Sequence, residues 1–471
     1  MNYSIHGHFY QPPREDPITK EIPKERGADP YKNWNERICA NCYTPNALAG
    51  NFEKISFNIG PTLFQWMFDN VPETANLIVA QEKANYRKNG VGNGMAQAYS
   101  HSILPLQSTL DKITQVRWGI EEFKFRYGHA PLGMWLPETA VDLETLCVLS
   151  DQGLTFTILA PWQVQTLEDF TEPGPYLIDL PDDRPPFVVF PYDRETSTKI
   201  SFIPQFTENG DVFIKNMLRK KTTQQGLTLF ASDGELYGHH QRFRDIFLSY
   251  ILGKGAEKHA INWTYPALYL QENNVCSHAK LVEPSSWSCM HGVGRWSEDC
   301  GCTANSKWKA PMRKAINAIA DWVDAIYIQA FSGLPLEEKL IEDLAWELRH
   351  RYIDVILGNK TVLELCEELF KDDYQSLDMK KITILLEAQH ERQKMYTSCG
   401  WFFDDFNRIE PANNIAYAAK AVWLCQQVSY VPFEDSLMDM LRKTNSPETG
   451  LNAETIFKRT LERAERELSL N

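Results

Sequence analysis

The chain has 471 residues, more than one average domain and enough to bury a large core without disulfide or metal staples. Its 48 basic and 62 acidic residues leave a formal charge of −14, which argues against nucleic-acid or anionic-membrane partners. No window approaches the ~18 continuous apolar residues of a membrane span, and Met1 to His6 lacks the basic and apolar regions of a signal peptide, so a cytoplasmic protein with ten mostly free cysteines is expected.

In chain order, Tyr3 to Gln11 reads as a strand stopped by Pro12-Pro13, and alternation puts His6 and His8 on one of its faces. A long polar connection holding Trp34, Cys39 and Cys42 follows, of a kind that is usually functional when it lies inside a compact domain. Lys54 to Pro61 predicts a second strand and Thr62 to Lys83 a helix. Gly90, Gly92 and Gly94 have no preceding strand and lack the third glycine of a dinucleotide loop, so no cofactor is expected there. Met95 to His101 predicts a third strand, Leu110 to Tyr127 a helix, and Leu132 to Leu136 a short buried strand that Pro137 stops just before Glu138. Leu154 to Trp162 predicts a further strand, Pro186 to Asp193 and Ile200 to Ile203 two more or a hairpin, Asp211 to Arg219 a helix, and Leu227 to Asp233 a strand ending in Asp233-Gly234-Glu235. Strand-helix alternation with polar residues at strand ends predicts a parallel α/β barrel over residues 1–310. Beyond Pro311, Met312–Ala330, Glu337–Ile356, Thr361–Phe370, Lys380–Tyr396, Asn414–Val431 and Ala453–Leu468 read as amphipathic helices, a helical domain of residues 311–471 expected to contribute to the cleft.

Two carboxylates at strand ends, Glu138 and Asp233, are what a two-carboxylate glycosidase needs; each could equally cap a following helix. Glu235 is either a second charge that tunes Asp233 or such a cap. His6, His8, His101, His239, His240 and His291 fall at strand ends or in glycine-bounded loops, where neutral imidazoles suit sugar hydroxyls and a His-x-His pair suits zinc. Glu283 to Cys302 is too rich in Gly, Trp and acids for a regular element; it reads as a loop closing over a ligand, with Trp287 or Trp296 as a stacking plate and His291 and Arg295 beside it. Cys289, Cys300 and Cys302, with Cys39 and Cys42, could hold structural zinc, but the Cys-x-Cys spacing is tighter than usual, so no metal is assigned. After Gly400 the run Trp401-Phe402-Phe403-Asp404-Asp405 either docks the helices or completes a sugar cleft.

These stretches resemble glycoside hydrolase family 57, retaining enzymes active on α-glucans, and within it a little-characterised bacterial branch. Phe9-Tyr10-Gln11-Pro12 resembles its first motif, with Tyr10 where a histidine is usual. Met134-Trp135-Leu136-Pro137-Glu138 resembles the third, which implies that Glu138 is the nucleophile. Ser232-Asp233-Gly234-Glu235 resembles the fourth, which implies that Asp233 is the general acid/base. Gln97 to His101 departs from the second motif, and the fifth is not placed. The resemblance implies an incomplete (β/α)7 barrel with a C-terminal helical bundle and an oligo- or polysaccharide substrate. The residues expected to bind that substrate are His6, His8, Gln11, His101, Trp135, Glu235, His239, Trp287, His291, Arg295, Trp296, Trp401, Asp404 and Asp405. The rival readings are a zinc-dependent carbohydrate hydrolase or deacetylase, with His6, His8 and Asp233 or His101 as ligands, and a catalytically silent glucan-binding protein. The sequence sets no oligomeric state.

Overall fold

A computed structural model describes residues 2–166, 174–219, 226–430 and 435–468. They form two compact units: one of residues 1–13, 24–99 and 123–288, the other of residues 14–23, 100–122 and 289–471.

The first unit is an incomplete (β/α)7 barrel. Its seven barrel strands are β1 (Asn2–Phe9), β2 (Ser56–Ile59), β3 (Ala96–Gln97), β4 (Met134–Trp135), β5 (Phe156–Leu159), β6 (Phe187–Pro191) and β7 (Leu227–Asp233). The unit also holds the short strands Val164–Thr166, Tyr176–Ile178, which is antiparallel to β6, Asn262–Trp263 and His278–Leu281. Neighbouring barrel strands run parallel: β1 with β2, Phe57 of β2 with Gly94 before β3, β3 with β4, Gly133 before β4 with Phe156 of β5, and β5 with β6. The Asp193 N–H donates to the Leu229 carbonyl at 2.7 Å, linking the end of β6 to β7, and β7 pairs with β1. The ring thus closes on seven strands, one short of the eight of a complete barrel. In register, His6 and His8 of β1 face Ser56 and Asn58 of β2 on one side and Ala231 and Asp233 of β7 on the other.

Local chemistry explains where the expected elements shift. Pro72 has no N–H and pushes Val71 out of helical geometry (φ −140°, ψ 54°), so the helix expected over 62–83 is two helices, Pro61–Asn70 and Pro72–Asn89. The stretch from Ile200 to Ile203 is not a strand: Asp193 caps Thr196 N–H at 2.9 Å and starts the helix Arg194–Phe202. The third strand stops at Gln97, before the left-handed His101 (φ 54°).

The second unit is helical, built on Lys309–Gln329, Glu338–Arg351, Val362–Phe370, Met379–Lys394, Ile409–Gln426, Asp435–Lys443 and Ala453–Leu468. Asp435–Lys443 has no counterpart among the expected helices, and the expected end of the preceding helix at Val431 lies outside the described residues. Ile409–Gln426 is buried on almost every face, which marks it as the centre of the bundle. Residues 100–122 belong with this unit for a polar reason. Buried Asp111 accepts from Arg392 Nη1 (2.7 Å) and Gln393 Nε2 (2.8 Å) and lies 3.1 Å from Arg349 Nη1. Burial alone would raise the Asp111 pKa, but the two guanidiniums outweigh it and bring it down to about 2. No helix among the described residues is long and apolar enough to cross a membrane.

Candidate active site

The site grows from the C-terminal ends of β4 and β7. Pro137 ends β4, and the next two residues both take the left-handed conformation, Glu138 at φ 57° and Thr139 at φ 49°. Consecutive non-glycine residues there cost of order 1–3 kcal/mol each and persist only where the surroundings over-determine them. Buried Gln163 supplies that constraint. Its Nε2 donates to the Thr139 carbonyl (2.7 Å) and to Ser285 Oγ (3.1 Å). Its Oε1 accepts from Thr139 Oγ1 (2.8 Å) and from the Ala160 N–H (2.8 Å). Ser285 exchanges two backbone bonds with Val141, and the Trp287 N–H donates to the Glu138 carbonyl at 3.1 Å. The result aims the Glu138 carboxylate at a fixed place, where Oε2 accepts from Trp287 Nε1 (2.9 Å) and Ser288 Oγ (2.7 Å).

Gln163→Leu keeps the volume and removes all four polar contacts. It is expected to lower kcat by roughly 10²-fold, in line with misplacing a reacting group by about 1 Å, with little change in KM. Steady-state kinetics beside circular dichroism check this; parent-like kcat would show that Gln163 does not position Glu138.

Asp233 ends β7 in a different environment. It is open to solvent on one side but densely ringed by protein, and among the described residues no side chain donates to its carboxyl. Burial first, and the negative charge of Glu138 second, push its pKa up to about 7. The next residue must be glycine, because a Cβ at Gly234 would sit 2.3 Å from the Phe9 ring. Glu235 is wholly enclosed, accepting from Tyr43 OH (2.6 Å) and the Tyr10 N–H (3.0 Å). Burial raises its pKa to about 8; the Tyr43 bond opposes this and the Asp233 charge adds to it. Three carboxyl groups are thus electrostatically linked in sequence, Glu138 to Asp233 to Glu235.

The wall beside them is polar and neutral. His6 bonds Ser56 Oγ (2.9 Å) and Asn58 Oδ1 (3.1 Å) through its two ring nitrogens. The Asn58 amide lies against His8 Nδ1, with Nδ2 at 3.0 Å and Oδ1 at 3.2 Å, and its Nδ2 donates to Gln97 Oε1 (2.8 Å). Burial pushes His6 and His8 down to about 3 and about 4, His6 being further depressed by His8, so both are neutral near pH 7. Trp135 lies under both rings, stacked at 4.7 Å on His6 and 4.9 Å on His8. It is fully buried, so it orients the histidines and offers no face to a sugar. Half-buried Trp287 meets Trp135 edge-on at 5.1 Å.

The other expected site residues fall as follows. In the first unit, half-buried Gln11 follows β1, and half-buried His239 lies in the loop after β7, bonded to Asn41 at 3.3 Å and pushed down to about 4 by burial. The second unit holds the rest. His101 is buried and bonded to Ser398 Oγ at 2.6 Å. Trp296 and Trp401 are wholly buried around Arg313, which bonds the Trp296 carbonyl at 2.8 Å and lies 4.2 Å over the Trp401 ring. They are packing residues and not stacking plates, since neither exposes a ring face. Arg295 covers the Phe402 ring at 4.6 Å, Asp405 caps the Asn407 N–H at 2.8 Å, and Asp404 is exposed. His291 sits beside Cys302 at 3.4 Å. Cys39 and Cys42 are engaged elsewhere, Cys39 with Thr44 and Cys42 with the Gly234 and Tyr237 carbonyls.

Sequence reasoning missed Asn58, Gln97, Gln163 and Ser288. Alternation along β2 signals Asn58, since Ser56 and Asn58 share a face against buried Phe57. It also missed Trp162, 41% exposed, whose Nε1 donates to the Ser286 carbonyl at 3.0 Å and whose ring meets Tyr192 at 6.1 Å.

Chemically, one carboxylate is held by two donors, and a second carboxyl keeps a substantial protonated fraction near neutrality through burial and the charge of the first. Opposed environments of this kind separate a nucleophile from an acid.

Comparison with known proteins bears on the family and the fold. Residues 9–275 match the profile "Glycosyl hydrolase family 57" and residues 305–469 the profile "Domain of unknown function (DUF3536)". No curated protein matches the chain. Among solved structures, an exo-type maltose-forming amylase from Pyrococcus sp. ST04 superposes with a TM-score of 0.73 at 15% identity, covering 99% of this chain and 92% of the amylase. A family 57 branching enzyme from Thermococcus kodakaraensis gives 0.57 at 14% identity over 97% and 96% of the two chains. An α-amylase from Thermotoga maritima gives 0.58 at 13% identity over 97% and 99%. The profile spans more than half of the sequence and contains both strand-end carboxylates: the chain belongs to glycosyl hydrolase family 57.

Proposed function

We propose that this protein is a retaining α-glucan hydrolase or transglycosylase that works by double displacement. One observation carries the reading: Asp233, at the end of β7, is raised to about 7 by burial first and then by the charge of Glu138, at the end of β4, which puts the two carboxyl groups in one site. The anchored Glu138 attacks the anomeric carbon as neutral Asp233 protonates the leaving oxygen, giving a covalent glycosyl-enzyme. Ionised Asp233 then takes a proton from water or from an acceptor hydroxyl, which attacks the same carbon and releases Glu138. Proton, leaving group and nucleophile balance over the two steps.

Glu235, pushed up to about 8 by burial, stands mainly protonated behind Asp233 near pH 7 and ties the loop after β1 through the Tyr10 N–H. His8, neutral and oriented by Asn58 and Trp135, is a hydrogen-bonding partner for sugar hydroxyls, and Trp162, 41% exposed with the Arg194 guanidinium 5.3 Å over its ring, has its other face for a sugar to stack on. The names of the similar structures, amylases and a branching enzyme, support α-linked glucan as the substrate. Ten cysteines, all free thiols among the described residues, support a reducing, cytoplasmic setting.

The test is proton NMR of the first product formed from linear malto-oligosaccharides. Retention gives the α-anomer before mutarotation, as a free sugar from hydrolysis or as a longer chain from transfer. First-formed β-anomer contradicts the mechanism.

A further inference from the structure

Four side chains in the second unit, Cys289, His291, Cys300 and Cys302, place one ligand atom each within 4.8 Å of one another. We propose that they form a structural zinc site.

The distances have the size of a coordination tetrahedron. Zinc bonds of about 2.3 Å to sulfur and about 2.0–2.1 Å to nitrogen put tetrahedral S–S edges at roughly 3.8 Å and S–N edges at roughly 3.5 Å. Cys289 Sγ lies 3.6 Å from Cys302 Sγ and 3.9 Å from Cys300 Sγ, and Cys302 Sγ lies 3.4 Å from His291 Nδ1. A disulfide needs about 2.05 Å and would leave one thiol and the imidazole unused.

The surroundings suit a metal thiolate. Backbone N–H groups of His291 and Arg295 bond Cys289, and that of Met290 bonds Cys302. One zinc with three thiolates carries a net charge of −1, and the buried ammonium of Lys309, held at 3.0 Å by Thr303 Oγ1, interacts electrostatically with all three cysteines. The segment also needs a staple. From Ser288 to Asn305 the only regular element is the short turn Gly294–Trp296. The tight Cys-x-His and Cys-x-Cys spacings close because Gly292 (φ 72°) and Gly301 (φ 79°) turn the chain between or beside the ligands. Soft sulfur with one imidazole in a tetrahedron selects zinc, and four protein ligands leave no open position for catalysis.

The test is elemental analysis of the full chain, purified without chelator in a thiol-free reductant and then incubated with zinc. About one tightly bound zinc per chain is expected, falling to near zero in Cys300→Ser/Cys302→Ser and kept in His291→Cys, which supplies a fourth thiolate. Cobalt in place of zinc is expected to give thiolate charge-transfer absorption and the intense visible bands of tetrahedral geometry; these spectra decide the matter on the parent protein even where the serine variant fails to fold. A parent chain that takes up no zinc, zinc retained by a folded double serine variant, or a Cys289–Cys302 disulfide found by mass mapping would each overturn the site.

Discussion

Glu138→Gln is expected to lower turnover on α-glucans by on the order of 10⁶-fold, the scale seen when a hydrolase loses its covalent nucleophile. The amide is the same size, and its carbonyl oxygen still accepts from Trp287 Nε1 and Ser288 Oγ, so the thermal transition should stay close to that of the parent. What is lost is a charge that can attack carbon. A cavity variant sharpens the test, and glycine is the right choice: Glu138 sits at φ 57°, a region glycine enters without steric cost. With azide, Glu138→Gly should recover turnover and release a β-glycosyl azide from an α-linked substrate, since the small anion attacks opposite the leaving group. Parent-like turnover in Glu138→Gln, or an α-azide from Glu138→Gly, goes against the assignment.

Asp233→Asn is expected to cost about 10²–10⁴-fold in turnover, the usual range for a general acid/base, and it should change the pH profile in a definite direction. The parent needs Asp233 protonated to expel the leaving group, so kcat/KM should fall as pH rises through about 7. Asp233→Asn should lack that limb. Stability carries the matching sign. The folded pKa of Asp233 lies above its unfolded value, so its proton stabilises the fold at low pH, and that contribution is lost as pH rises towards about 7. Asp233→Asn should therefore become the more stable protein as pH climbs from about 4 to about 7. His6 and His8 act oppositely: burial depresses them to about 3 and about 4, so they weaken the fold as pH falls below about 6.5. Both proteins contain them, so they cancel in the difference. Denaturant titrations of the pair at several pH values measure the gap; a gap independent of pH would contradict the raised pKa.

The strands that carry the chemistry were legible because each is a bounded apolar run ended by an acid, as in Leu227 to Asp233. The helical second half was legible from its periodicity. Register was not. Asn58 and Gln97 reach the site because β2 and β3 pair beside β1, a fact that no local pattern contains. Residues 100–122 were not legible as part of the helical unit, because Asp111 meets Arg392 281 residues away through buried polar bonds that hydrophobic periodicity does not record. Aromatic residues misled for a related reason. Trp135, Trp296 and Trp401 look on paper like sugar plates, yet all three are buried, while Trp162, unmarked in the sequence, is the exposed one. Composition says that a ring is present; packing alone says which face is left open.

The central claim is that Glu138 becomes covalently bound to sugar. The most direct measurement is mass mapping of the chain after reaction with a 5-fluoro-α-glucosyl fluoride, whose ring fluorine slows breakdown of the intermediate. The account predicts one added glycosyl mass, lying on the peptide that contains Glu138 and absent in Glu138→Gln. A label on any other carboxylate, Asp233 included, or steady fluoride release by Glu138→Gln at the parent rate would contradict it.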